Sequence, residues 1–246
     1  MSTSRGAVLF DLDGVLVDSR AAITECINHA LAAHGLRTHA ETALLRFIGP
    51  PLGVTFSELT GQASDSDLVL SCVTAYRARY VEVSLRVTTV VPGIADALAE
   101  LARHRRLAVA TSKAVAFAEP LLTALGLRDF FTVVAAPELN AHSEGKSVTI
   151  GAALAALDPE RAVMVGDRSF DIAGAHARAL PAIGVTWGIG DHDELTAAGA
   201  DAVINAPHEL PAAVERLTGP GRGHWSVAIR RRQRPGAAAS GSGRTP

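Results

Sequence analysis

The sequence Asp11-Leu12-Asp13-Gly14 places two carboxylates two residues apart, directly after the apolar run 7–10. Such a run is typical of a buried parallel strand. If the strand continues through the acids, both side chains point to the same side. Burying them together then costs free energy unless a cation or a shared proton compensates the charge. The pair therefore indicates metal binding or proton transfer, although so short a pattern also fits a calcium-type or structural turn.

A second acidic pair, Asp167 and Asp171, follows the apolar run 162–165 and Gly166. Residues four apart lie near one face of a helix, and acids are favourable in the first turn of a helix. Helix capping could explain Asp171 alone. It does not explain Asp167, which we expect at the same sheet edge as Asp11, because parallel strands end at a common edge.

Hydroxyl and ammonium groups occur at two more predicted element ends. Thr111 and Ser112 end an apolar run just before a predicted helix, which suits the binding of phosphate oxygens but also an ordinary helix cap. Lys146 begins a predicted helix, where a cation is mildly unfavourable unless an anion lies nearby. The alternative is a solvated lysine. Lys113 and Lys146 are the only lysines among 23 basic residues, which draws attention to both.

The elements that must position these residues alternate along the chain. The alternation predicts an α/β fold, with a Rossmann-like parallel sheet covered by helices on both faces and ligands at the carboxyl ends of its strands. Strands are predicted at 7–10, 107–111, 131–135, 162–166, 181–186 and 202–204. Helices are predicted at 19–36, 92–104, 114–125, 147–157, 169–179, 191–199 and 208–217.

Residues 17–88 have helical rather than strand patterning, broken at 49–53 and near Gly61. We expect them to form a helical cap inserted after the first strand, so that residues 1–16 and 89–218 form the core. Residues 219–246 contain six arginines and no acid, and Gly, Pro, Ser and Ala dominate from 235 onward. We expect a basic, disordered tail there, although an arginine run can also pair with phosphates.

The composition limits the classes of function. The 246 residues, 48% of them hydrophobic, suffice for one domain with an insertion. Without the six tail arginines, 17 basic residues face 25 acidic ones, so we expect no affinity of the body for nucleic acid. Two cysteines make no disulfide framework, and no run is of membrane-spanning length. We expect a soluble, cytoplasmic monomer or homodimer with reduced thiols.

Taken together, the four clusters resemble the motifs of the haloacid dehalogenase-like superfamily, over roughly residues 7–218. Within it the chain resembles the phosphoglycolate phosphatase group, whose helical cap is inserted after the first motif. The number of residues between Lys146 and Gly166 is the one usual in the superfamily. We therefore match Lys146, rather than Lys113, to the lysine of its third motif, and we expect Lys113 at the edge of the site. The matches are DLDGV at 11–15, Thr111, Lys146 and GDRSFD at 166–171.

The resemblance implies a Mg²⁺-dependent phosphatase acting on a small phosphomonoester: phosphoglycolate, a sugar phosphate or a nucleoside monophosphate. Asp11 would attack phosphorus and form an aspartyl-phosphate. Asp13 would protonate the leaving group and then activate water. The implied phosphate-binding residues are Thr111, Ser112 and Lys146, and the implied Mg²⁺ ligands are Asp11, the Asp13 carbonyl, Asp167 and Asp171.

Related chemistries fit less well. Dehalogenases of the superfamily lack the second acid, which is present here as Asp13. Its phosphonate hydrolases need a cap lysine, and residues 17–88 contain none. Sugar phosphomutases usually carry His where this chain has Ile23, which disfavours a mutase. A protein-directed phosphoryl-transfer protein that uses the same aspartate stays open.

Arg46 lies in the most distinctive stretch of the cap, residues 46–51 with the sequence RFIGPP. Its glycine and prolines predict a stiff loop that could reach the site. Arg46 could pair there with a substrate carboxylate or a second phosphate. The alternative is a surface arginine on a turn between cap helices.

Overall fold

A computed structural model describes residues 6–139 and 145–219. A six-stranded sheet forms its centre, and every neighbouring pair in it is parallel. The strands are β1 (Gly6–Phe10), β2 (Val17–Asp18), β3 (Thr89–Val90), β4 (Arg106–Ala110), β5 (Val133–Ala135), β6 (Arg161–Gly166), β7 (Ala182–Val185) and β8 (Ala202–Ile204). The order in the large sheet is β5-β4-β1-β6-β7-β8.

The helices fall at the predicted places, with ends that differ by a few residues. β5 begins two residues later than predicted, because a 3-10 turn at Arg128–Phe130 precedes it. The predicted α/β fold is confirmed. The helices are α1 (Arg20–Ala33), α2 (Glu41–Leu44), α3 (Leu52–Thr60), α4 (Asp67–Val87), α5 (Ile94–Ala102), α6 (Val115–Ala124), α7 (Lys146–Leu157), α8 (Ser169–His176), α9 (His192–Ala197) and α10 (Leu210–Thr218).

Both faces of the large sheet are buried, which explains why its strands are continuous apolar runs. In β1, Val8 and Phe10 pack into a core shared with α5, α6 and α10. Ala7 and Leu9 point to the opposite face and pack with α7 and α8. The side chains thus alternate as a strand requires, and the helices on both faces hold the strand ends in fixed positions.

A second, two-stranded sheet was not predicted. β2 and β3 pair antiparallel, with Val17 opposite Val90 and Asp18 opposite Thr89. Strands of two residues are too short to produce a recognisable pattern in a sequence. They lie where the chain leaves the first strand region and returns to it, so they join the ends of the helical insert.

Helices α1 to α4 surround an apolar cluster of their own. Tyr76 stacks on Tyr80 with ring centroids 5.7 Å apart, and Phe56 meets Tyr76 edge-on at 6.2 Å. Tyr80 also contacts Phe117 of α6 at 5.4 Å. We therefore propose the predicted boundaries, with residues 17–88 as a cap that packs on the core formed by 1–16 and 89–218.

The predicted basic tail lies outside the described residues, except for Gly219. Within the described ranges, no helix is both long and apolar enough to cross a membrane. Cys26 and Cys72 are both free, as predicted, and the structure places both in buried positions. Burial raises the pKa of the Cys26 thiol to about 12, so this group stays a thiol at neutral pH.

Phe56 provides a test of the cap packing, because its ring is fully buried. Phe56→Ala should lower the free energy of unfolding by about 3–5 kcal/mol, since it removes buried apolar surface and leaves a cavity. Val54 lies on the same helix and is 52% exposed. Val54→Ala should change stability by no more than about 0.5 kcal/mol. Equal effects in a urea titration would contradict the packing of α3.

Candidate active site

Three of the predicted site residues lie side by side, because each directly follows one of three neighbouring strands. Asp11 follows β1, Thr111 follows β4 and Asp167 follows β6, and β1 pairs with both other strands. The backbone N–H of Asp11 still donates to the Val165 carbonyl at 3.0 Å. The structure thus brings these residues to the common edge that the sequence predicted.

Asp11, Asp167 and Asp171 form a buried cluster in which one carboxylate oxygen of each lies within 4.8 Å of the others. Asp167 Oδ2 accepts a hydrogen bond from the Ile189 N–H at 2.7 Å. Asp167 Oδ1 is buried and has no hydrogen-bond partner among the described residues. A buried carboxylate oxygen without a hydrogen-bond partner costs free energy unless a cation binds it. The three carboxylates therefore fit a metal ion.

Two glycines make room around Asp167. A Cβ atom on Gly14 would lie 2.2 Å from Asp167 Oδ2, and one on Gly188 would lie 2.3 Å from the same atom. Gly14 also has a φ of +84°, which favours glycine. Both loops can therefore approach this carboxylate closely only because they lack side chains there.

Lys146 supplies positive charge to the cluster. Its Nζ lies 2.7 Å from Asp11 Oδ1 and 2.7 Å from Asp171 Oδ1. Burial lowers the pKa of Lys146, but the two carboxylates outweigh that effect and hold the pKa above its usual value. The unfavourable position of a cation at the start of α7 is thus repaid by adjacent anions.

One ammonium does not balance three carboxylates. Burial raises the pKa of Asp167 well above its usual value, and the charges of Asp171 and Asp11 raise it further. Burial also raises the pKa of Asp171 to about 6, although Lys146 opposes the shift. The remaining negative charge favours a cation, and oxygen ligands suit a hard divalent ion such as Mg²⁺.

The Asp171 side chain also fixes the start of α8, the helix that carries it. The Arg168 N–H donates to Asp171 Oδ2 at 3.1 Å, which closes the first turn of α8. Asp171 therefore caps the helix and contributes to the cluster at once. Gly174, one turn later, allows α8 to pack on Lys146, because a Cβ there would lie 2.9 Å from Lys146 Cβ.

β1 ends at Phe10, so the strand does not continue through the two acids, and Asp13 has other partners than Asp11. Lys113 Nζ lies 2.7 Å from Asp13 Oδ2 and 3.0 Å from Oδ1. The Ser19 hydroxyl donates to Oδ1 at 2.6 Å. The two acids therefore lie in different surroundings, and each pairs with its own lysine.

Lys113 lies deeper than expected for a lysine at the edge of the site. Its side chain is 8% exposed, and its Nζ lies 4.6 Å from the ring centroid of Tyr80 in the cap. Burial lowers the pKa of Lys113, but the charge of Asp13 outweighs this effect and raises it. The rarity of lysine in the sequence was the signal for this residue, whereas nothing in the sequence indicated Tyr80.

Thr111 and Ser112 occupy the turn between β4 and α6. Thr111 is 1% exposed, and its Oγ1 accepts a hydrogen bond from the Lys113 N–H at 3.2 Å. The hydroxyl therefore stabilises the turn at the sheet edge. It does not cap α6, whose N-cap residue is Ala114.

Arg46 lies on the cap surface with its side chain 67% exposed. It pairs with Glu58 at 2.7 Å, and its guanidinium stands 4.6 Å from the centroid of the Phe47 ring. These contacts correspond to the surface alternative and do not place Arg46 beside the acids. Ile23 of α1 is buried in the cap cluster.

The fold belongs to the Rossmann-like α/β class, and its buried carboxylate cluster lies at the carboxyl edge of the parallel sheet, where such folds bind their ligands. The family model described as haloacid dehalogenase-like hydrolase matches residues 8–185. The chain belongs to the haloacid dehalogenase-like hydrolase family.

Individual relatives have been named for different activities. The chain is 35% identical over 203 residues to tyrosine-protein kinase PtkA of Mycobacterium tuberculosis, covering 81% of this chain and 68% of that protein. It is 34% identical over 212 residues to a phosphoglycolate phosphatase of Cupriavidus necator, covering 84% and 91%. The crystal structure of a predicted phosphatase from Clostridium acetobutylicum superimposes with a TM-score of 0.81, at 32% identity, covering 86% of this chain and 99% of that one.

Removing the buried ammonium tests the charge balance of the cluster. Lys146→Met should lower the free energy of unfolding by about 3–5 kcal/mol without added metal, because the buried carboxylates lose their partner. Arg79→Met is the matched control, since Arg79 pairs with Glu25 and Glu82 on the cap surface. Urea titrations that show no difference between the two variants would contradict this description.

Proposed function

We propose that the protein is a Mg²⁺-dependent phosphatase that hydrolyses a small phosphomonoester through an aspartyl-phosphate on Asp11. The observation that carries the proposal is the position of Asp11. It is buried between Lys146 and the two carboxylates Asp167 and Asp171, so its nucleophilic oxygen, a phosphate-binding cation and metal ligands converge. Membership of a hydrolase family supports the same assignment.

The metal would be held by the carboxylates of Asp11, Asp167 and Asp171 together with the backbone carbonyl of Asp13. Bound there, Mg²⁺ would offset the charge of the phosphoryl group. The unpartnered Asp167 Oδ1 supports this assignment. Thr111, Ser112 and Lys146 would hold the phosphoryl oxygens.

The chemistry proceeds in two displacements. A carboxylate oxygen of Asp11 attacks phosphorus while the bond from phosphorus to the ester oxygen breaks, and Asp13 gives its proton to that oxygen. Asp13 then takes a proton from water, whose oxygen attacks the phosphoryl group. Phosphate leaves, and the Asp11 carboxylate is restored.

Lys113 and Ser19 are suited to hold the side-chain carboxylate of Asp13 apart from the metal cluster, while its backbone carbonyl stays available to the metal. Together they make three contacts with its carboxylate, between 2.6 and 3.0 Å. Separate partners allow Asp11 to act as nucleophile while Asp13 moves protons, since two carboxylates in different surroundings can take different roles.

The substrate class follows from the enclosed site and from the relatives. Phosphoglycolate is the first choice, because a similar protein is named phosphoglycolate phosphatase. A sugar phosphate or a nucleoside monophosphate is the alternative, and Arg46 would contact a second anionic group only if the cap rearranged. A phosphomutase is disfavoured, because Ile23 has no group that transfers protons. We expect a cytoplasmic monomer or homodimer.

Asp11→Asn tests the covalent mechanism. Wild-type protein with Mg²⁺ should release phosphate from at least one ester of a panel that includes phosphoglycolate, and acid quenching should trap a hydroxylamine-labile phosphoprotein. Asp11→Asn should lower the release at least about 1000-fold and abolish the trapped species, because the nucleophile is gone. Turnover by Asp11→Asn at the wild-type rate would contradict the assignment of Asp11 as the nucleophile. Chelation of the metal should stop release as well.

The second candidate is phosphoryl transfer directed at a protein, which the similarity to a protein named tyrosine-protein kinase supports. Deletion of 219–246 separates the two candidates, since this segment carries six arginines and could contact a partner. The first candidate predicts that kcat/KM for small esters changes less than about twofold, because the proposed site residues all precede 219. Complete loss of function with an intact fold would favour the second.

A further inference from the structure

Arg168 and Phe170 belong to the same short segment as Asp167 and Asp171, but the proposed chemistry does not use them. Both contact residues 46–51, here called the cap loop. The contacts cross from the core to the cap directly beside the carboxylate cluster. This position makes them candidates for control of access to Asp11.

Arg168 connects the metal-ligand segment to the cap loop by hydrogen bonds. Its backbone N–H donates to Asp171 Oδ2 at 3.1 Å, and its Nη1 donates to the Ile48 carbonyl at 2.8 Å. The residue that orients a carboxylate of the cluster therefore also binds the backbone of the cap loop. A hydrogen bond from a charged donor is stronger than a neutral one.

Glu194 keeps the guanidinium in place. Its Oε1 accepts from Arg168 Nε at 3.0 Å and from the Ser169 N–H at 2.8 Å. The Arg168 side chain is 13% exposed and that of Glu194 is 28% exposed, so the pair is partly shielded from water. A guanidinium fixed in this way loses little freedom when it binds the cap loop.

Phe170 makes a second contact with the cap loop, and the Arg168 guanidinium lies over its ring, 5.2 Å from the centroid. A Cβ atom on Gly49 would lie 2.3 Å from Cζ of the Phe170 ring, so only glycine allows the ring to reach the loop backbone. Gly49 also has a φ of +107°, a backbone conformation that residues with a side chain rarely adopt. Both the backbone conformation of Gly49 and its lack of a side chain therefore suit the cap loop to this contact.

In this arrangement the site is closed. Asp11 and Lys146 are each 5% exposed, and Asp171 is 0% exposed. Ile189, whose N–H binds Asp167, also packs against the apolar cluster of the cap. Any movement of the cap loop away from the core must break its contacts with Arg168 and Phe170.

We infer that Arg168 and Phe170 are positioning residues that latch the cap loop onto the metal-ligand segment and thereby restrict the enzyme to esters with small leaving groups. The inference rests on the proposed phosphatase activity. A small ester fits beneath the latched loop and gains from the exclusion of water. A bulky aryl ester gains less, because it reacts with the loop displaced.

Arg168→Met should reveal the latch as a change in selectivity. With Mg²⁺ present, kcat/KM for phosphoglycolate should fall about tenfold or more, the size expected for a lost charged hydrogen bond. For p-nitrophenyl phosphate it should stay within about threefold or rise, because that ester does not depend on the closed loop. Arg168→Lys should lie between, since lysine keeps the charge but not the planar fork. Equal losses on both esters would overturn the inference.

Matched variants separate the latch from general damage. Arg79→Met removes a cap arginine whose partners both lie within the cap, so the ratio of the two esters should not change. Gly49→Ala should shift the ratio as Arg168→Met does. Gly61→Ala is its control, because Gly61 also has a positive φ, of +69°, but open space around it. A shift of the ratio in either control would also contradict the latch.

Hydrogen exchange tests the latch without any catalysis. Amides in the peptide 42–56 should exchange at least about tenfold faster in Arg168→Met and Gly49→Ala, because the loop opens more easily. Amides of 67–87 should keep their wild-type rates. Unchanged exchange of the loop would refute the latch. If the wild-type protein releases phosphate from no ester of the panel, the proposed function fails, but this measurement still decides whether Arg168 holds the loop.

Discussion

The whole site depends on how the negative charge of three buried carboxylates is compensated at the edge where neighbouring parallel strands end. Asp11, Asp167 and Asp171 meet there under almost complete exclusion of water, and Lys146 is the only cation that the described residues place against them. Much of the surrounding chain serves this compensation. Glycines allow close approach to Asp167, and α7 and α8 pack tightly enough to bring Lys146 between its two partners.

The same constraint explains why the two acids of the first motif have different surroundings. β1 ends before them, so the chain turns and Asp13 meets Lys113 and Ser19 rather than the cluster. Two lysines in a chain that otherwise uses arginine each pair with one of these acids. A compact ammonium fits between buried carboxylates in a way that the wider, planar guanidinium cannot.

The cap is part of the site and not merely a cover for it. Tyr80 lies over Lys113, Ile189 packs into the cap cluster, and Arg168 and Phe170 contact the cap loop. Each contact joins a residue at the sheet edge to a helix or loop of the insert. Opening of the cap and organisation of the acids are therefore coupled through a few side chains.

The sequence by itself determined the alternation of strands and helices, the positions of three polar clusters after strands and of Lys146 at the start of a helix, and the helical character of 17–88. These features follow from local patterns, because apolar runs, acids after strands and helix-breaking glycines act through nearby residues. Only the tertiary structure decided which lysine meets which acid, that β2 pairs with β3, that Arg46 faces Glu58, and that Arg168 binds the cap loop. Those outcomes depend on partners far apart in the sequence: Ile48 and Arg168 are 120 residues apart, and Asp11 and Lys146 are farther still. Packing of the whole fold sets their approach.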